Sequence, residues 1–297
     1  MNSLAVSTTL GSLAPWHPHL DVWALMVAIG GGYLLAVRSH ARKSGEAPSA
    51  KQVLVFLAGV ATLWVASDWP IHDISERSLF SVHMGQHLLM SLVAPPLLLL
   101  GTPAWLMRAV LRPKPVMAVV RRLARPIPAL LIFNGFLAFS HWPTVVDLAL
   151  EHHPLHLLVH TVLVGTALLM WLPLTSPLLE IPRLSYPGGM LYLFMQSIVP
   201  TVPASFLTFS DGPLYRFYAA APRLWGLGVV TDQRLAGLTM KLVGGFILWG
   251  IIAVMFFKWH AMEEREGVDA LEFLDLDRDL RRANLTAPGL VRERVGQ

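Results

Sequence analysis

The sequence predicts an all-α protein: a polytopic membrane bundle of about seven transmembrane helices, with the N-terminus outside and the C-terminus in the cytoplasm. Three observations carry this. Charged residues make up 14% of the 297 residues, roughly half the ~25% of an ordinary soluble chain. The apolar residues, 54% of the total, gather in long runs that a soluble core would interrupt every few positions. Lysine and arginine fall almost wholly into alternate connections between those runs.

In chain order the runs are Asp21–Val37, Gln52–Trp69, Val82–Gly101, Ile127–His141, Leu155–Leu172, Gly188–Phe209 and Leu235–Phe257. Spanning requires about 20 mostly apolar residues, and the fourth run is short by that measure. Residues 1–258 therefore form the membrane domain. Residues 259–297 form a charged cytoplasmic tail, either a surface helix or disordered. Pro95 and Pro96 in the third run, and Pro200 and Pro203 in the sixth, are expected to kink their helices. Such kinks are tolerated where neighbours or a cavity take up the freed carbonyls. Met1 to Leu20 holds no lysine or arginine, so it does not read as a signal peptide.

Basic residues orient the bundle. With the N-terminus outside, the inner segments 38–51, 102–126, 173–187 and 258–297 hold 4, 6, 1 and 7 of them. The outer segments hold Arg77, Arg216, Arg223 and Arg234, and Lys241 lies within the last span. The net charge of +4 is accordingly the basic flank of membrane spans, with membrane lipid as the partner and no nucleic acid. The expected location is a bacterial inner membrane.

On this topology ten of the twelve histidines lie at or near the outer face, and only His40 and His260 lie inside. Interfacial preference would scatter histidine over both faces. The sharpest feature is a pair of pairs: His83 and His87 open the third run, His156 and His160 the fifth. Residues four apart share a helix face, about 6 Å apart along the axis. Two parallel helices with these stripes would bring four imidazoles to one depth. Imidazole suits copper, zinc, iron and nickel. The bland alternative is interhelical hydrogen bonding.

Around the pairs, His72 is placed to join the site, and Asp73 to orient a ring by accepting its other N–H. Met84 offers a soft thioether, as do Met90 and Met195, against plain packing. His141, His152 and His153 read better as an exposed loop. Lys241 either snorkels outward, pairs with a buried carboxylate such as Asp232, or lines a polar cavity. The chain has no cysteine, which excludes disulfides, zinc fingers and thiolate copper sites. It also lacks the nucleotide, serine-hydrolase and zinc-protease motifs, so no enzyme activity is expected.

The stretch Asp68-Trp-Pro-Ile-His-Asp-Ile-Ser-Glu-Arg-Ser-Leu-Phe-Ser-Val-His-Met-Gly-Gln-His-Leu-Leu, continued by Ala94-Pro-Pro-Leu-Leu-Leu-Leu-Gly-Thr-Pro103, resembles the multi-span cytochrome c oxidase assembly factors of the caa-type oxidase (CtaG). Leu155-His156 through His160, Leu191-Tyr192-Leu193-Phe194 and Asp232 to Met240 resemble them too, so the likeness covers most of residues 50–258. It implies a factor needed to build a haem–copper oxidase, delivering copper to its catalytic subunit. His72, His83, His87, His156 and His160 are the matching candidates. The unrelated single-span chaperone of the same name depends on cysteine and is excluded here.

Two other classes fit the sequence. A haem-binding redox protein would use the pairs as axial ligands, and a metal-ion permease would use the kinked helices as a path. The topology yields a first prediction. A reporter fused after residue 260 should be active only if it works in the cytoplasm, and a periplasm-dependent reporter active there would overturn the placement of every histidine.

Overall fold

The computed structural model describes residues 19–282. His17 and the first 18 residues lie outside the described residues, as does the tail beyond Arg282. The described chain is helical, with no strand. Helices α1 (Leu20–Ser44) and α2 (Ala50–Ser67) form a hairpin, and α3 (Ile71–Arg77) turns the corner after Asp68-Trp69-Pro70. Helix α4 (Phe80–Leu88) passes through a π-helical turn, Leu89–Val93, into α5 (Ala94–Gly101). Short helices α6 (Ala104–Val110) and α7 (Lys114–Leu123) follow. Then come α8 (Pro126–Ser140), α9 (Pro143–Glu151) and the long α10 (His153–Thr175). Helices α11 (Tyr186–Ile198) and α12 (Thr201–Phe209) meet at Pro200. After α13 (Arg216–Ala220), α14 (Val229–Leu238) enters a second π turn, Thr239–Val243, and α15 (Gly244–Arg282) completes the chain.

Six of these units are long and apolar enough to cross a membrane. The expected fourth run is the exception, for a physical reason. Helix α8 has 15 residues, about 22 Å at the usual rise, which falls short of a hydrocarbon core of about 30 Å. The chain breaks at His141-Trp142 and bends by 72° into α9, and only the pair makes a seventh span. The segment from His141 to His153, expected as an exposed loop, is thus mostly helix. Helix α15 runs on without a break to Arg282, so the first part of the tail is helical.

The kinks follow the proline chemistry. Pro95 has no N–H for the carbonyl of Ser91, and the indole N–H of Trp171 on α10 donates to that oxygen at 2.9 Å. A neighbouring helix thus satisfies the freed group. Helices α2 and α5 approach closely through glycine: a methyl group on Gly59 would sit 2.9 Å from the backbone nitrogen of Leu98, and one on Gly101 would collide with the backbone of Phe56. Small residues permit this backbone contact in membranes. The Tyr33 hydroxyl on α1 donates to Gly101 O at 2.9 Å and seats α1 on the same pair.

The main core lies between α2, α5, α8, α10, α11 and α15, around Phe133, Leu163, Trp171, Leu193 and Leu248. A smaller cluster of Phe80, Met84, Leu207, Tyr215, Tyr218 and Met240 fills the bundle end where α4 begins. The close α2–α5 contact yields a second prediction. Gly101→Ala should cost roughly 1–3 kcal/mol through overpacking, lowering the unfolding temperature in detergent. Gly85→Ala and Gly135→Ala, where an added carbon meets nothing within 4 Å, should leave it unchanged. An unaltered Gly101→Ala protein would contradict the contact.

Candidate metal centre

The site begins with the anchoring of α4. The first N–H groups of a helix have no partner within it. Here the Asp232 carboxylate of α14 accepts from Phe80 N at 2.8 Å, Ser81 N at 3.0 Å and Ser81 Oγ at 2.6 Å. Negative charge at a helix N-terminus is favourable. This fixes the first turn of α4 on the last span, and His83 follows as the fourth residue of α4. His156 is likewise the fourth residue of α10. The two stripes therefore enter the bundle in matched register.

His83, His87, His156 and His160 are all buried. Single ligand-capable atoms of His83, His87 and His160 lie within 4.8 Å of one another. The Nε2 of His160 is 3.2 Å from Nε2 of His87 and 3.0 Å from Nε2 of His156. His83 adds ring contacts, 4.4 Å to His87 and 5.6 Å to His156 between centroids.

Supporting groups set the ring tautomers. Gln86 donates its amide N–H to Ala66 O at 2.8 Å and accepts from Ser75 Oγ at 2.9 Å, so its Nε2 faces Nδ1 of His72 at 3.3 Å. His72 Nδ1 must then accept, and its proton sits on Nε2, 3.2 Å from the Glu76 carboxylate. The same Glu76 oxygen pairs with Nδ1 of His156. A carboxylate only accepts, so this contact favours the proton of His156 on Nδ1, which leaves the lone pair of Nε2 facing His160. This is the carboxylate–histidine arrangement that holds rings at metal centres.

With neutral rings and no cation this geometry contains a defect. If His160 carries its proton on Nε2, it donates toward His156 and His87. The proton of His87 is then on Nδ1, a buried atom without a partner among the described residues. If His87 donates from Nε2 instead, His160 and His156 face each other with two lone pairs at 3.0 Å. An unpaired buried polar group costs about 1–3 kcal/mol. The buried Nδ1 of His83 also lacks a partner among the described residues. A cation that accepts the converging lone pairs removes the conflict, and its donors would be drawn from His83, His87, His156 and His160.

The remaining candidates fall outside that centre. His72 sits one step out, joined to His156 through Glu76. Asp73 faces His19, with Oδ1 at 3.6 Å from its Nε2, and the carboxylate that meets His72 is Glu76. Met84 is buried, with Sδ 3.3 Å from Nε2 of His141. Lys241 is exposed in the second π turn, and the Asp232 considered as its partner is engaged with α4. His141 corrects the expectation of a solvated loop. It is buried, donates from Nδ1 to Leu137 O at 2.7 Å, and its ring lies 5.7 Å from that of His87. His152 and His153 are exposed as expected. His40 stacks on Trp105 and His260 is exposed on α15, both well separated in the chain from the cluster.

Two cavities flank the cluster. One, about 270 Å³, lies between α1, α2 and α10 and is lined by His19, Asp21, His72, Glu76, His153 and His156. The other, about 50 Å³, touches His87, Met84, His141 and Lys241. Neither has room for a haem macrocycle among the paired histidines, which already approach to 3.2 Å. Outside the spans, Tyr218 of α13 covers His83 and donates to Ser75 O at 2.6 Å. Burial, with Asp232 and Glu76 nearby, pushes its hydroxyl pKa well up, so it remains a donor.

Glu76 and Gln86 were the unassigned residues. Glu76 follows His72 by four, the same helical spacing as the histidine pairs, and that was the available signal.

Fold and site define a class: a multi-pass membrane protein that gathers imidazoles and a carboxylate inside one end of its bundle. Residues 31–261 match the family described as cytochrome c oxidase caa3 assembly factor, and the chain belongs to that family. It is also similar to an uncharacterized protein of Mycobacterium bovis and one of Mycobacterium tuberculosis, each 25% identical over 283 residues and 83% of this chain. The chain spans 40% of the length of these curated relatives. No solved structure matches it.

The tautomer chain can be measured. In spectra of ¹⁵N-histidine-labelled protein, assigned with His156→Ala and His141→Ala, both rings should be in the Nδ1–H form. An Nε2–H ring at His156 in the metal-free protein would break the assignment.

Proposed function

We propose that this protein is a non-enzymatic factor of a bacterial inner membrane that takes up copper at its outer face and aids its insertion into the catalytic subunit of a haem–copper oxidase. The observation that carries the reading is the convergence of the His87, His156 and His160 Nε2 atoms beside the Nδ1 atoms of His83 and His87, which have no partner among the described residues. Family membership supports the oxidase as the destination. Copper as cargo is supported by an all-imidazole donor set without cysteine, since copper(II) stands at the top of the divalent affinity order.

Orientation supports an outer-face site. The end opposite the histidines carries α7, an amphipathic helix with Lys114, Arg121 and Arg122, next to Arg108 and Arg112. Basic segments of this kind stay cytoplasmic. The cleft beside Glu76 gives the cargo a way in and out, past His19 and His153.

Bound copper per chain provides the test. His87→Ala, His160→Ala and the double variant should all lose copper to a similar extent, because each breaks the same centre. Glu76→Gln should weaken affinity roughly 10–100-fold, as loss of a supporting carboxylate does. Wild-type copper in all four would make the histidines structural. In cells, deletion should leave oxidase low in copper with haem synthesis intact, and normal copper in the remaining oxidase would sink the insertion role.

A further inference from the structure

Between α11–α12 and the second π turn runs a groove of about 1140 Å³ walled by Phe194, Phe206, Phe246 and Trp249. Its polar residues include Lys241, Ser197, Thr201 and Ser205. A cation within a span is costly and marks a site by default. No carboxylate pairs with Lys241 among the described residues, and the nearest candidate by sequence, Asp232, is committed to α4. The π turn that presents Lys241 is itself a local departure of a kind that recurs at functional positions.

The hydroxyls define what the head of the ligand must offer. Ser197 donates to Phe194 O at 2.7 Å, Thr201 to Ser197 O at 3.1 Å and Ser205 to Thr201 O at 2.7 Å. Their protons are held by their own helix, so they turn lone pairs toward the groove. Lys241 is a donor. The fitting head therefore combines an anion for the ammonium with hydroxyl donors for the serine and threonine oxygens, and it carries apolar chains for the aromatic walls. By helix rise Lys241 lies roughly 10 Å along the axis from Arg234 and roughly 26 Å from Lys258. That puts its ammonium within snorkelling reach of the headgroup layer at the histidine end.

We propose that this groove binds an anionic phospholipid with a hydroxylated headgroup, its phosphate on Lys241 and its chains along Phe194, Phe246 and Trp249. Ser197, Thr201, Lys241 and Gly245 also border the small cavity behind His87, so the lipid would close that cavity from the bilayer. The proposal is independent of copper binding.

Native mass spectrometry of the full chain, released from mixed micelles of phosphatidylglycerol and phosphatidylcholine without added metal, tests it. Wild type should retain phosphatidylglycerol at least 5-fold over phosphatidylcholine. Lys241→Met should lose that preference and Lys241→Arg should keep it. Gly245→Leu fills the groove where an added carbon meets nothing within 4 Å, so it should fold normally and lose both lipids. Equal retention of the two lipids by wild type, or an undiminished preference in Lys241→Met, would overturn the site.

Discussion

The pairing of Glu76 with His156 is the interaction on which the arrangement of the site depends. It joins the corner after the second helix to the start of α10. Through the same oxygen it reaches His72, and through His72 and Gln86 it is tied to the backbone at Ala66. Each link removes one freedom, of tautomer or ring rotation, from the next. The end of the chain is a lone pair of His156 aimed at the other imidazoles. Glu76 is half-buried at the edge of the cleft, and the buried rings of His72 and His156 give its carboxylate partners there.

The membrane explains why so much of this structure is organised around unpaired polar groups. Backbone groups freed by Pro95 or by the start of α4 have no bilayer water to turn to. Trp171 and Asp232 supply the missing partners, and both come from helices distant in sequence. These contacts are therefore also the ones that fix α10 and α14 against α4. The register of His83, His87, His156 and His160 follows from satisfying backbone groups as well as from packing apolar side chains. Nδ1 of His83 and of His87 are among the few buried side-chain atoms with no hydrogen-bond partner among the described residues, and both belong to the centre.

Much of this was readable from residue spacing. Runs of about 20 apolar residues define spans because the bilayer sets their length, and histidines four apart define a face because the helix sets its period. The fourth apolar run is short because it ends at His141, and a bend of 72° lets a second helix complete the crossing. The same bend buries His141, which as a residue in a connecting loop would have been solvated. Glu76 is not legible in the sequence because a glutamate beside Arg77 at a helix end reads as an exposed charge. Only the tertiary approach of α10 turns it inward. Gln86 lies between two conspicuous histidines, and its role becomes visible only with the Ala66 carbonyl in place.

Lys241 illustrates the reverse case, where the chain announced an anomaly that the fold leaves open. Its ammonium faces an apolar groove, separate from the histidine centre but bordering the cavity behind it. The central claim concerns that centre: imidazoles of α4 and α10 hold one copper ion together. X-ray absorption of the copper-loaded protein at the copper edge tests this most directly. The account predicts multiple scattering from three or four imidazoles and no sulfur neighbour, with a shell that loses imidazole when His160 is replaced. A first shell made mainly of solvent oxygen or sulfur, unchanged by that replacement, would contradict it.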